Sequence, residues 1–231
     1  MQLKASLSAD NIDTQRLKLT FFHRLMIPLD PDVISFARQN LGVSGIGEAC
    51  ALLLINDSGF VEHLSRDGLS AFRDEEIQVL TTAFEFSKDP IPASVFRQIL
   101  VRGAKRDDQA FMSNISWKLS ESTRSYVNLI RAGVELLNSA NPHYLSDPQQ
   151  SRAVRYMMLD CARRNIDGLG EAIQSDDAEV QVLACWLAGA IGRDAKVLIS
   201  KIQDVRSRSS PAASQAASKA LARIEADRDP R

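Results

Sequence analysis

Apolar residues recur every three or four positions along most of the chain, and no stretch shows the strict alternation of a half-buried strand. "DPDVISFARQNLG" has the full pattern of one short helix. Asp30 can cap, Pro31 suits the first helical position, and Val33, Phe36, Ala37 and Leu41 share a face. Gly42 is expected to supply the left-handed stop. "SGIGEACALLLIND" follows, with Ser44 able to cap and an apolar stretch that should be buried. "RDEEIQVLTTAFEFS" places Ile77, Leu80 and Phe84 on one stripe, with Glu75 and Glu76 suited to an N-terminal turn. Three more helices are predicted in "SVFRQILVRGAKR", "QAFMSNISWKLS" and "STRSYVNLIRAGVELLNSA".

The links between these segments are short and carry the breakers. Pro90, Pro92, Pro142, Pro148 and Pro211 all fall in or beside them, where proline costs least. "ANPHYLSDPQQ", near residues 140–150, is the best internal boundary. It divides a helical region, 1–140, from 150–226, with a short tail at 227–231. Many short helices, tight links and no strands predict an all-α stack.

A repeated unit emerges after that boundary. Counting from Val180, apolar residues stand at plus four (Ala184), seven (Leu187), eight (Ala188) and eleven (Ile191). Gly189 and Gly192 are expected to thin this helix for close contact and to end it. Thirty-three residues further on, Ala213, Ala217, Ala220, Leu221 and Ile224 repeat the offsets, and upstream Val154, Met158, Cys161 and Ala162 echo them. The first two units are each followed by a second short apolar stretch, "DGLGEAIQS" and "AKVLISKIQD". A helix pair recurring at roughly thirty residues predicts stacked helical hairpins, an α-solenoid.

On "DDAEVQVLACWLAGAIGRDAKVLISKI", with weaker echoes at "AVRYMMLDCARR" and "AASQAASKALARI", the chain resembles the HEAT-repeat family in its short bacterial form. The resemblance covers about residues 150 to 226, roughly a third of the chain. In that family a valine is usually followed by an arginine that braces the turn. Val154-Arg155 keeps the pair, whereas Val180-Gln181 and Ala213-Ser214 depart from it. Residues 1–140 are either divergent pairs of the same stack or a helical cap.

Charge narrows the partners. Lys plus Arg number 28 against 29 Asp plus Glu, a formal net charge of -1, so no global field draws the chain to nucleic acid or anionic lipid. The opening residues lack an apolar core of signal-peptide length, and no stretch approaches a membrane span. Cys50, Cys161 and Cys185 are odd in number, far apart and set in apolar helices. They read as buried free thiols, with the cytoplasm as the expected compartment.

No catalytic constellation stands out, and no cofactor or metal is expected. His23, His63 and His143 are isolated in sequence. "GVSGIGEA" lacks the Lys-Ser/Thr ending of a phosphate loop and the spacing of a nucleophile elbow; a helix stop followed by a helix start explains its glycines. Asp74-Glu75-Glu76, Asp107-Asp108 and Asp176-Asp177 each sit at an expected helix start, where carboxylates stabilise exposed N–H groups. Trp117 and Trp186 invite comparison with helical-repeat DNA glycosylases of the alkylation-repair type. Those are strongly basic, their motif has no counterpart here, and Trp186 is expected to pack between helices.

Arg152, Arg155, Arg163 and Arg164 on one helix, with Arg206 and Arg208 in an expected loop, would form a basic strip if the loops of stacked repeats emerge on one side. Its natural partner is an acidic protein surface; the bland alternative pairs these arginines with Asp160, Asp167 and Asp204. The expected function is a non-catalytic protein-interaction module: an adaptor, an inhibitor or an immunity-type protein. Arg155, Arg163, Arg206 and Arg208 are its candidate contacts. Two other readings follow from resemblance: an enzyme accessory such as the bilin lyase-like proteins, which predicts a pocket with a reactive residue, and a nucleic-acid-binding helical-repeat protein.

Overall fold

In a computed structural model, residues 10–25, 30–69, 71–87, 89–105, 109–121, 125–138 and 148–226 are described. These residues are all-α, with no strand among them. They form two compact units, Met1–Val95 and Phe96–Arg231. The segment 139–147, site of the boundary read from the sequence, and the tail at 227–231 lie outside the described residues.

The first unit contains α1 (Ile12–Leu25), α2 (Pro31–Gln39), α3 (Gly47–Leu54), α4 (Ser58–Asp67) and α5 (Asp74–Ala83), the last followed by a 3-10 turn at Phe84–Phe86. α3 is apolar on nearly every side, and α1, α2 and α5 all pack on it. Asp30 caps α2 as expected, accepting from the Asp32 N–H at 2.8 Å. Two local expectations fail. α2 ends at Asn40, whose side-chain amide donates to the Phe36 carbonyl at 2.8 Å; the positive-φ glycine of this turn is Gly45, not Gly42. α3 starts at Gly47 with Ile46 as its N-cap, so Ser44 caps nothing. Asn40 ends the helix with both its backbone and its side-chain N–H groups, the backbone N–H donating to the Phe36 and Ala37 carbonyls and the side-chain amide to Phe36.

α6 (Ala93–Lys105) leads to the second unit's α7 (Gln109–Ser120), α8 (Tyr126–Asn138), α9 (Pro148–Arg164), α10 (Ile166–Ile173), α11 (Ala178–Ile191), α12 (Ile199–Arg208) and α13 (Pro211–Ala226). A 3-10 segment, Gly192–Leu198, joins α11 to α12. Every repeat position named from the sequence is buried, from Val154 and Met158 on α9 to Leu221 and Ile224 on α13. α9 packs on α11 and α11 on α13, while the intervening α10 and α12 pack on each other and on these helices. α8 departs from simple alternation, since it touches α9, α10 and α11.

Two glycines fulfil their expected roles. Gly192, at φ 68°, ends α11, with its N–H donating to the Ala188 carbonyl. Gly189 lies against α13, where an added Cβ would come within 2.9 Å of the Ala220 Cα.

Candidate functional site

α11 is capped at Asp177, whose carboxylate accepts from the N–H groups of Glu179 (3.0 Å) and Val180 (3.3 Å). Burying Val180, Ala184, Leu187, Ala188 and Ile191 turns the opposite side outward. Trp186 stands at plus six from Val180, roughly 145° around the helix from the centre of that buried stripe. It is 38% exposed, correcting the expectation that it packs between helices.

Open grooves flank its ring. One, of about 230 Å³, lies where α8, α9 and α11 meet and is bordered by Leu137, Arg155, Glu179, Leu183 and Trp186. The other, of about 270 Å³, runs between α11 and α13, with Val182, Gly189, Ala216 and Ala220 along it and Lys219 and Arg223 at its edge. Both are bordered by Val182 and Trp186, so the indole forms a ridge between them.

Arg155, Lys219 and Arg223 are exposed, and none has an ion-pair partner among the described residues. The pairing expected to neutralise the arginines is formed at Arg164–Asp160 (3.2 Å), while Arg131 pairs with Asp177 at 3.3 Å. Arg164 also lies over the Trp117 ring, 5.7 Å from its centroid, as does Lys118. Trp117 is therefore 52% exposed but already carries two cations.

Of the four arginines singled out in the sequence, Arg155 borders one of these two grooves and the other three border neither. The Arg155 side chain is exposed. Arg163 is exposed in the last turn of α9. Arg206 and Arg208 occupy the last turn of α12, not a loop, because the helix runs on to Arg208 before Pro211 opens the next. Lys219 and Arg223 were missed. Their signal was present: Lys219 stands at plus six from Ala213, as Trp186 does from Val180.

The positions screened for chemistry have structural explanations. His63 shares a 2.9 Å hydrogen bond with Arg38; the side chain of His23, and His143 and Asp107-Asp108 altogether, lie outside the described residues. Glu76 reaches back to the start of its helix, accepting from the Arg73 backbone N–H at 2.7 Å and from its guanidinium at 2.8 Å. Burial alone would raise its carboxyl pKa, but the bonds and charge of Arg73 outweigh that and hold it below the ordinary value. Cys185 borders the α11–α13 groove, yet its thiol is buried and pushed up to about 12, so it stays protonated at neutral pH; Cys50 is raised equally and Cys161 is raised too. Among the described residues no three His, Cys, Asp or Glu side chains cluster as a metal site, and no helix is long and apolar enough to cross a membrane.

One residue outside the sequence reading ties the helices together. Asn165 accepts from the Gly168 N–H at 2.7 Å, capping α10, and donates to the Ser120 carbonyl at the end of α7 at 2.6 Å. Comparison with known families finds no family model that matches this chain, and comparison with the curated proteins finds no match either.

Proposed function

We propose that the protein is a non-catalytic interaction module, built from HEAT-like stacked helical pairs, that captures a partner protein on the α11–α13 surface around Trp186. The observation that carries this reading is a large aromatic ring held outward between two grooves and edged by three exposed cations that have no ion-pair partner among the described residues. Exposed tryptophan and arginine beside apolar recesses are the residue types that dominate protein recognition energies. Succession of α9, α11 and α13 with α10 and α12 between them supports the repeat reading, since such stacking presents a long surface of fixed shape. Adaptor, inhibitor and immunity-type roles all use this kind of capture.

A photo-crosslinking residue at Gln215, which borders the α11–α13 groove, tests the proposal in native cells. The same residue at Val197, 73% exposed on the 3-10 segment, serves as the control. The expected result is a discrete protease-sensitive adduct from position 215 and none from 197. A nuclease-sensitive adduct, or no adduct at 215, would contradict it.

A further inference from the structure

The chemistry around Trp186 specifies more than capture. Arg155 stands on one side of the indole and Lys219 and Arg223 on the other, against a single acidic lining residue, Glu179. This local excess of positive charge sits on a chain whose formal net charge is -1. The cations are exposed and have no ion-pair partner among the described residues, so a carboxylate approaching them displaces none of those groups.

Between Trp186 and these cations the α11–α13 groove is floored by Val182, Gly189, Ala216 and Ala220. Gly189 sets its depth, because the two backbones approach where other pairs of helices would be held apart by side chains. Such a floor accepts an aliphatic or aromatic side chain. It is poorly suited to a single-stranded nucleic acid, which needs successive stacking rings along a cationic track. Trp186 is one ring, and the face of Trp117 is already occupied by Arg164 and Lys118.

We infer that the α11–α13 groove binds an acidic segment of a partner protein, with one apolar side chain seated beside Trp186 over Gly189 and Ala220, and flanking carboxylates held by Lys219, Arg223 and Arg155. The inference rests on the protein-capture reading and adds the chemical class of the captured segment. Association is steered by charge and slows as salt rises.

A displayed library of random short peptides, panned on the full chain, tests it. Affinities of the selected peptides are then read from Trp186 fluorescence in a Trp117→Phe background. The same titrations use Lys219→Glu/Arg223→Glu and Trp186→Ala, the latter by calorimetry, and all substituted side chains are exposed or half-exposed. Selected peptides should carry Asp or Glu around a large apolar residue. Their affinity should fall at least about tenfold on the double charge reversal, fall again as salt is raised, and vanish in Trp186→Ala. Neutral or basic peptides whose binding ignores the charge reversal but requires Trp186 would overturn the acidic-segment inference and leave protein capture standing. Peptides that bind Trp186→Ala undiminished would overturn both. So would a library that yields no binder, whether or not an oligothymidylate quenches Trp186; quenching would identify nucleic acid as the occupant instead.

Discussion

The seam between α7 and α9 and the seam between α11 and α13 join neighbouring helices of the same unit by different chemistry. Across the first, the Cys161 thiol donates to the Ser116 carbonyl at 3.2 Å and Asn165 donates to the Ser120 carbonyl at 2.6 Å. Both bonds span 45 residues, so the two helices run parallel in a fixed register. Its outer side is closed by Arg164 lying over Trp117. The second seam relies on small residues, with Gly189 against Ala220, and its outer side stays open as the groove beside Trp186. A polar seam fixes register and seals the surface; a small-residue seam brings backbones close and leaves a recess.

Breaking each seam separates these roles. The largest effect is expected from Ala184→Asp, which places a carboxylate in the fully buried stripe of α11, at a cost on the order of 4 kcal/mol. Denaturant titration should show it, and Cys161 and Cys185, protected in the native protein, should become reactive toward a thiol reagent. An unchanged midpoint would refute the proposed helix face.

Asn165→Ala removes the α10 cap and leaves the buried Ser120 carbonyl without this donor, an expected loss of about 2–4 kcal/mol. Asn165→Asp sharpens the point: it keeps the capping oxygen but not the donor, so it should recover only part of that loss. Gly189→Ala presses a methyl onto the Ala220 backbone, which cannot rotate away. The expected cost is about 1–3 kcal/mol by thermal unfolding, and the substitution should weaken any ligand of the groove more than Asn165→Ala does.

The smallest effect concerns the first unit. Glu76 has its folded pKa depressed below the unfolded value, so its contribution is present at neutral pH and is lost as pH falls through the folded value. Glu76→Gln should therefore lower stability at neutral pH, and the gap from wild type should close below the ordinary carboxylate range. A gap independent of pH would contradict a stabilising bond between the Glu76 carboxylate and Arg73.

The second unit was the more legible. Its repeat offsets at Val154, Val180 and Ala213 rest on helical period, and burial of one stripe follows directly from that. The same count placed Trp186 and Lys219 on the outward side, but reading tryptophan as a packing residue hid it. Asn165 could not be read from the sequence, because its role depends on Ser120 lying beside it across 45 residues. In the first unit the helices themselves were legible, while their ends were not. Asn40 and Arg73-Glu76 satisfy helix termini with side chains, where the sequence pointed to Gly42 and to acids alone.

Exposure of Trp186 in a locally positive field can be tested without any partner. In a Trp117→Phe variant, Trp186 is the sole tryptophan, and its fluorescence can be quenched by iodide and by caesium at matched low ionic strength. Iodide should quench more strongly than caesium, and Lys219→Glu/Arg223→Glu should remove or reverse the difference. Equal quenching by both ions, or an indole reached by neither, would contradict it.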